Sequence, residues 1–245
     1  MVFMNTRSRN NVVVLLAVFT AFLLLAAVLP LAACGGSGSN TKVDPRVVLN
    51  AATVKMQTIK GFHFVYEVRK PSSAKPGSGL DIARITGNVD AQGHMDAMVD
   101  AVFGGVPVTV GFVSMGDTQY IQDPISHKWQ SVAAADSPVG TLSLSAGTIT
   151  ILGHIIDALY KGEQSKGGVN AHHITGKVAP EYVKAIAGSV DTTNLFPTEI
   201  WIGVNDSYVY EVDIFGAATP NETDKYWRSI TLSEHDKTFD IKAPQ

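Results

Sequence analysis

The stretch HMDAMVDAVFGGVPVTVGFVS, His94 to Ser114, predicts the fold because it contains a complete β-hairpin. On both sides of Gly104-Gly105, apolar residues recur at every second position, as in a strand with one buried face. A Gly-Gly pair suits a two-residue turn, whose residues need positive φ angles. The turn sets Phe103 opposite Val106 and predicts one wide apolar surface. Its members are Met95, Ala97, Val99, Ala101, Phe103, Val106, Val108, Val110 and Phe112.

The segment before the hairpin predicts a helix followed by two strands. Asp44-Pro45 is a helix start signal, and apolar residues then recur at helical spacing as far as Gly61. The next stretch, FHFVYEVRK, changes to a period of two, and Ile82 to Asp90 predicts a second strand. The alternation in FHFVYEVRK places three aromatic residues on one face, namely Phe62, Phe64 and Tyr66.

The segment after the hairpin predicts two further helices among several strands. Two short strands surround Asp123-Pro124, and Gly147 to Gly162 has helical spacing. Gly168 to Val178 predicts a strand, Pro180 begins a short helix, and four strands follow: TEIWIGV, SYVYEVDIF, KYWRSITLS and TFDIKAP. The apolar stripe of the Gly147–Gly162 helix comprises Ile149, Leu152, Ile155, Ile156 and Leu159. Many antiparallel strands with about three amphipathic helices predict an α+β domain.

The Gly147–Gly162 helix is also a candidate gate for a ligand. It lies between glycine-containing links, and glycines absorb the backbone change that a lid requires. The alternative is a fixed structural helix with ordinary glycine caps.

Cys34 is the only cysteine of the 245 residues, so it cannot form an internal disulfide. Arg7 and Arg9 precede a nearly unbroken apolar run from Val12 to Ala33, which is typical of an export signal. Leu-Ala-Ala-Cys resembles the lipobox of bacterial lipoproteins, in which the cysteine becomes the lipidated N-terminus. The alternative is an uncleaved transmembrane anchor, since the run is long enough to span a bilayer. We therefore expect a signal peptide over 1–33, a flexible lipidated tether over 34–43 and one domain over 44–245.

Charge and motifs argue against nucleic-acid binding and catalysis. Without residues 1–33, 17 basic residues face 22 acidic ones, and a formal net charge of −5 does not suit a nucleic-acid partner. The seven histidines lack the spacing of a helical metal site, and the adjacent pair His172-His173 should point to opposite faces of a strand. No serine lies in a Gly-x-Ser-x-Gly context, and no glycine pair continues into a phosphate loop. We expect no catalytic residues, no metal site and no cofactor.

The apolar face of the hairpin supports two interpretations. Sheet and helices can close on one another as a filled core, which periodicity alone favours. Small residues on the inward face, Ala97 and Ala101 with Gly104, Gly105 and Gly111 nearby, instead leave volume that a ligand could fill.

Several segments in order resemble the LppX/LprA/LprF/LprG family of actinobacterial and related lipoproteins. They are the Cys34 lipobox, AATVKMQTIKGFHF, ITGNVD, the Gly-Gly hairpin, YIQDPISHKW, PTEIWIG and ITLSEHDKTFDIKAP. The resemblance covers nearly all of residues 34 to 245. The chain departs from the family in its long apolar leader and in the Lys70–Gly79 loop.

The resemblance implies a strongly curved antiparallel sheet, a half-barrel, that wraps around the helices and leaves a hydrophobic cavity, as in the LolA/LolB carriers. It also implies an acylated lipid or glycolipid as ligand, a membrane contact through Cys34 at the extracytoplasmic face of a bacterial cell membrane, and an envelope transporter as a further partner. The implied cavity lining is the hairpin face together with Phe62, Phe64, Tyr66, Ile149, Leu152, Ile156 and Leu159. The competing function is a surface-anchored sensor or interaction module with a filled core.

Replacing Cys34 by alanine tests the lipobox. The Cys34→Ala precursor should stay uncleaved and lack the thioether lipid, because the acceptor sulfur is absent. Intact-mass measurement of the membrane fraction checks this, with Ser37→Ala as a control that keeps the cysteine. A Cys34→Ala product that begins at residue 34 and carries acyl groups would contradict the prediction.

Overall fold

The computed structural model describes residues 43–71, 80–137, 144–187 and 190–245. The predicted signal peptide, Cys34 and nearly all of the predicted tether lie outside the described residues, as does most of the Lys70–Gly79 loop. Residues 43–245 form one compact unit.

Eleven antiparallel strands form a single open sheet in the described part of the chain. Its order is β6-β5-β4-β3-β2-β1-β11-β10-β9-β8-β7, so β1 and β11 join the two halves of the chain. The strands are β1 Gly61–Arg69, β2 Leu80–Asp90, β3 Met95–Phe103, β4 Val106–Met115, β5 Thr118–Gln122, β6 Trp129–Ala133, β7 Ile156–Lys166, β8 Val169–Val178, β9 Phe196–Gly203, β10 Val209–Phe215 and β11 Trp227–Ser233.

The β3–β4 hairpin has the predicted register. Phe103 pairs with Val106, Ala101 with Val108, Val99 with Val110 and Ala97 with Phe112. Gly104 and Gly105 have φ angles of 56° and 85°, so both adopt the conformation that the two-residue turn demands. The prediction from the Gly-Gly pair is confirmed.

Three α-helices cover one face of the sheet, which we call the inner face. They are α1 Pro45–Gln57, α2 Leu144–Gly153 and α3 Pro180–Ala187. Asp44 caps α1 as predicted, because its Oδ1 accepts a hydrogen bond from the Arg46 backbone N–H at 2.8 Å. α1 packs against α2, and α2 against α3. The curved antiparallel sheet with three helices confirms the predicted α+β fold class.

None of the helices in the described residues combines the length and the apolar character needed to cross a bilayer.

The predicted helix from Gly147 to Gly162 is wrong in its extent. α2 ends at Gly153, and β7 begins at Ile156 and pairs with β8. Asp157 has a φ angle of 54°, which a continuous α-helix does not allow. Backbone pairing with β8 outweighs the helical spacing of the apolar residues, because the β8 ladder gives the backbone groups from Ile156 onward their hydrogen-bond partners. The helix proposed as the gate is therefore shorter than predicted, since its second half is an edge strand. Movement of the remaining part, α2, stays a prediction.

The predicted last strand, TFDIKAP, is also wrong. Residues 237–245 contain no strand, although Ile241 is buried. The segment passes the beginning of β1, where the Lys237 carbonyl lies close to Gly61. Both sides of β1 are already paired, with β2 and β11, so no edge is available there.

A buried ion pair connects β11 to the loop that precedes it. The Arg228 side chain is almost fully buried, and its Nη2 lies 2.6 Å from Glu222 Oε1 and 2.7 Å from Oε2. Glu222 Oε2 also accepts from the Ala218 backbone N–H at 2.8 Å. The two groups compensate each other's loss of hydration, so each depends on the other.

Removing Glu222 should destabilise the domain more than removing the whole pair. Glu222→Ala leaves the Arg228 charge buried without a partner, which costs about 3–5 kcal/mol. The double variant Arg228→Met/Glu222→Ala should recover part of this loss, because no charge stays buried. Urea unfolding measures the free energies of unfolding of the wild type, the single variant and the double variant. Asp240→Ala serves as the control because it breaks an exposed ion pair with Lys242. Equal losses in the single and double variants would contradict the prediction.

Candidate functional site

The twelve predicted sheet residues share the inner face. Strand register carries this face from β1 to β4, because directly paired residues point to the same side. One row joins Tyr66, Ile85, Val99 and Val110. The parallel rows contain Phe62 with Met95, Phe64 with Ala97 and Phe112, Ala101 with Val108, and Phe103 with Val106. The structure therefore brings together the aromatic residues of β1 and the hairpin face.

Gly87 lies in the row between Phe64 and Ala97. A Cβ atom at Gly87 would lie 2.0 Å from the Asp96 carbonyl oxygen and 2.7 Å from Ala97 Cβ. Only a residue without a side chain allows this approach of β3 to β2. Gly87 therefore permits the close packing of β2 against β3 in this row.

The inner face of the hairpin changes from buried to exposed along its length. Val99 is 0% exposed and Val110 is buried, and the next pair, Ala101 and Val108, is buried and half-buried. Phe103 and Val106, the last pair, are 62% and 61% exposed. An apolar surface thus begins in the core and ends in contact with solvent.

The inner face beside β1 holds a buried ion pair, because Arg228, which pairs with Val68 of β1 and Ile214 of β10, lies on this face and contacts Glu222. Tyr66 is buried, and burial raises the pKa of its phenol to about 12, because the phenolate loses its hydration. Tyr66 is therefore neutral at physiological pH. Since Glu222 compensates the charge of Arg228, this part of the inner face carries no net charge.

The predicted helical members of the site divide into two groups. Leu152 is buried and Ile149 packs against the core from α2, so both face the sheet. Ile156 and Leu159 lie on β7, are 39% and 61% exposed, and pair with Lys177 and Thr175 of β8. These partners point away from the core, so Ile156 and Leu159 lie on the outer face of the sheet. Their placement on a helix beside Leu152 is wrong.

The structure adds inner-face residues that the sequence-based site omitted. β9, β10 and β11 contribute six fully buried aliphatic side chains, and α1 contributes three apolar ones. They are Ile200, Ile202, Val212, Ile214, Ile230, Leu232, Leu49, Ala52 and Met56. Alternation of apolar residues in PTEIWIG and in ITLS indicated these strands. It did not indicate that β11 pairs with β1, which is the contact that joins them to the hairpin face.

The histidines are distributed as the alternation predicts. His172 Nδ1 lies 3.0 Å from the Tyr160 hydroxyl, whereas His173 Nε2 lies 2.9 Å from Glu199 Oε2 and its ring stacks on Trp201. The two rings therefore occupy different surroundings on opposite sides of β8. Among the described residues, no group of three His, Cys, Asp or Glu side chains is placed to hold a metal ion.

A polar cleft of about 540 Å³ lies at the end of the sheet opposite the β3–β4 turn. Tyr210, Asp206 and His235 contribute to its wall. The Tyr210 hydroxyl donates to Asp206 Oδ2 at 2.7 Å, and burial lowers the pKa of His235, because the imidazolium loses its hydration. None of the inner-face residues predicted from the sequence lines this cleft, although Leu232 does.

Sequence comparison gives matches over most of the described chain. The profile of the LppX_LprAFG lipoprotein family matches residues 44–241. The lipoarabinomannan carrier protein LprG of Mycobacterium tuberculosis is similar, with 24% identity over 192 residues that cover 76% of this chain and 79% of the relative. The same protein of Mycobacterium bovis matches equally well.

Solved structures show the same fold. LprF from Mycobacterium bovis aligns with a TM-score of 0.62 at 18% identity, over 82% of this chain and 96% of the LprF chain. The lipoprotein LppX of Mycobacterium tuberculosis aligns with a TM-score of 0.56 at 14% identity, over 81% and 98% of the two chains. Because the family profile spans all the described helices and strands, the protein belongs to the LppX_LprAFG lipoprotein family.

Proposed function

We propose that the protein is a membrane-anchored lipoprotein that binds acylated lipids or glycolipids and carries them within or across the bacterial cell envelope. The observation that carries this proposal is the continuous apolar inner face that runs from buried Val99 to exposed Phe103 and Val106. Family membership and the similarity to a protein named as a lipoarabinomannan carrier support it.

Binding on such a surface needs no directional chemistry. Burial of an acyl chain contributes about 0.8 kcal/mol per CH₂ group, so two chains supply ample affinity. The chains would lie against the hairpin face and beneath α2, in a cavity between sheet and helices lined by the inner-face residues. Ile156 and Leu159 are not part of this lining because they lie on the outer face. Polar groups at the mouth of the cavity would only orient the head group.

The proposed anchor is a lipid on Cys34. The Gly-Ser-rich residues after it would act as a flexible tether for the domain that begins at residue 44. This anchor would hold the domain at the extracytoplasmic face of the cell membrane. An envelope transporter that delivers or accepts the lipid would be its further partner. No step of this function requires catalysis, a metal or a cofactor.

One observation favours the alternative of a sensor or interaction module with a filled core. Val99, Ile151 and Leu152 have at most 1% of their surface exposed, so side chains fill the space around them. In the carrier, an acyl chain has to occupy the more open end of the inner face, or α2 has to move.

The decisive experiment is the identification of bound lipid. Protein produced in its bacterial host, purified and denatured in organic solvent, should release acylated lipid in a fixed molar ratio to protein, because a cavity holds a limited number of chains. Mass spectrometry of the extract, with a co-expressed lipoprotein of another fold as a control, provides the measurement. Lipid no more abundant than in the control would favour the filled-core module.

A charge on the open part of the inner face should reduce lipid binding. Val108→Asp places a carboxylate against the acyl chains, so bound lipid should fall at least tenfold, given the cost of burying an unpaired charge. Stability should change little because Val108 is only partly buried. Val102→Asp is the matched control, since Val102 pairs with Pro107 on the outer face of the same hairpin. Equal lipid content in both variants would contradict the proposed site.

A further inference from the structure

The exposed large apolar side chains are concentrated at one rim of the sheet. This rim, which we call the hairpin rim, contains the β3–β4 turn. In the described part of the chain, nine large apolar side chains are exposed, and six of them lie at this rim. They are Val47, Phe103, Val106, Ile125, Ile156 and Leu195.

Strand direction places these residues at the same rim. Because neighbouring strands are antiparallel, connections along the chain alternate between the two rims. Ile125 lies in the β5–β6 turn, Leu195 directly precedes β9, and Ile156 begins β7, all at the rim of Gly104-Gly105. Ile125 is the most exposed of the six, at 89%.

The beginning of the domain lies at the hairpin rim as well. Arg46, in the first turn of α1, donates from Nη2 to the Ile155 carbonyl oxygen at 2.5 Å, next to the start of β7. Val47 follows it and is exposed. The chain therefore enters the domain at the same rim as the apolar turns.

The opposite rim has a different character. Its β2–β3, β4–β5 and β9–β10 connections contain Gln92, Asp117 and Asn205, which are exposed polar residues. None of the nine exposed large apolar side chains of the described residues lies in these connections. The two rims thus differ in their exposed large apolar side chains, although the hairpin rim also exposes charged residues such as Lys128 in the β5–β6 turn.

We propose that the hairpin rim docks on a lipid bilayer and that Phe103 and Val106 insert into its headgroup–acyl boundary. The hairpin tip fits this occupant because the sequence from Ala101 to Phe112 carries no charged residue. The boundary region also solvates the backbone polar groups of the Gly104-Gly105 turn, which the hydrocarbon core would not. The partner is therefore the bilayer surface rather than its interior.

The short segment between Cys34 and the domain makes a weak contact of the hairpin tip sufficient for docking. Ten residues from Cys34 to Val43 span at most about 35 Å, at 3.3–3.6 Å per residue. Lipidation of Cys34 would hold the hairpin rim within that distance of the bilayer. A tether of this length gives the tip a high effective concentration at the surface, so two inserted side chains suffice.

Docking at this rim would join the bilayer to the proposed binding surface. The pair Phe103–Val106 continues into Ala101–Val108 and then into the core. An acyl chain could pass from the bilayer along this face without crossing water. The inference rests on the proposed anchoring and lipid binding, and it adds the surface at which lipid enters and leaves.

Spin-label accessibility tests the docking on the full lipidated chain. Nitroxide labels are attached to Val106→Cys at the tip and, as the matched control, to Asp117→Cys in the exposed β4–β5 turn at the opposite rim. The Cys34 sulfur is occupied by its lipid, so each label reacts at one position. The protein is reconstituted in vesicles of phosphatidylcholine and phosphatidylglycerol. Collisions with oxygen, which concentrates in bilayers, and with a water-soluble nickel chelate are then measured.

The label at residue 106 should lose access to nickel and gain access to oxygen, whereas the label at residue 117 should keep full access to nickel. Adding Phe103→Asp should return the label at residue 106 to the accessibility of the label at residue 117, because a carboxylate at the tip opposes insertion into the bilayer. Equal nickel access at both positions in protein that floats with the vesicles overturns the docking and leaves lipid binding intact. Loss of access to both reagents at residue 106, or dipolar coupling between labels, overturns it in favour of coverage by protein. A chain that does not float with vesicles overturns the anchor and the docking together.

Discussion

An antiparallel sheet with one apolar face has to cover that face, and this requirement shapes the domain. Here the face extends over eleven strands, which is more than a flat twisted sheet usually reaches. The sheet curves instead, and three helices fill the space inside the curve. Coverage is incomplete at the β3–β4 tip, because Phe103 and Val106 extend beyond the helices. The same apolar pattern therefore produces a stable core and an exposed margin.

Sequence patterns predicted those parts of the fold whose partners are close in the chain. The Gly-Gly turn determines the register of its two strands by local geometry, so Val99 opposite Val110 followed from the sequence. The N-cap of α1 is equally local, since Asp44 bonds to a residue two positions away. The inner-face assignment of β1 and the hairpin followed from the period of two alone.

The patterns failed where distant pairing decides the structure. Ile156 and Leu159 continue the helical spacing of Ile149 and Leu152, but β8 supplies backbone partners that end the helix. The final segment alternates like a strand, yet no sheet edge is free beside it. No sequence motif marks the Arg228–Glu222 ion pair. Its contribution to stability depends on burial of both side chains, which only the folded chain creates. The contribution of β9–β11 to the candidate site was missed for the same reason.

The two edge strands of the sheet determine whether copies of the protein can pair with one another. Among the strands that the structure describes, β6 and β7 each have a sheet partner on one side only, so each exposes backbone groups that could pair with another molecule. β7 resists such pairing. Its ladder is interrupted by two irregularities, between Ile156 and Leu159 and between Tyr160 and Gly162, and it carries charges at Lys161 and Glu163. A protein concentrated on a two-dimensional surface meets its own copies far more often than one in solution. An irregular, charged margin on this strand would keep such crowded copies from fusing into a continuous ribbon.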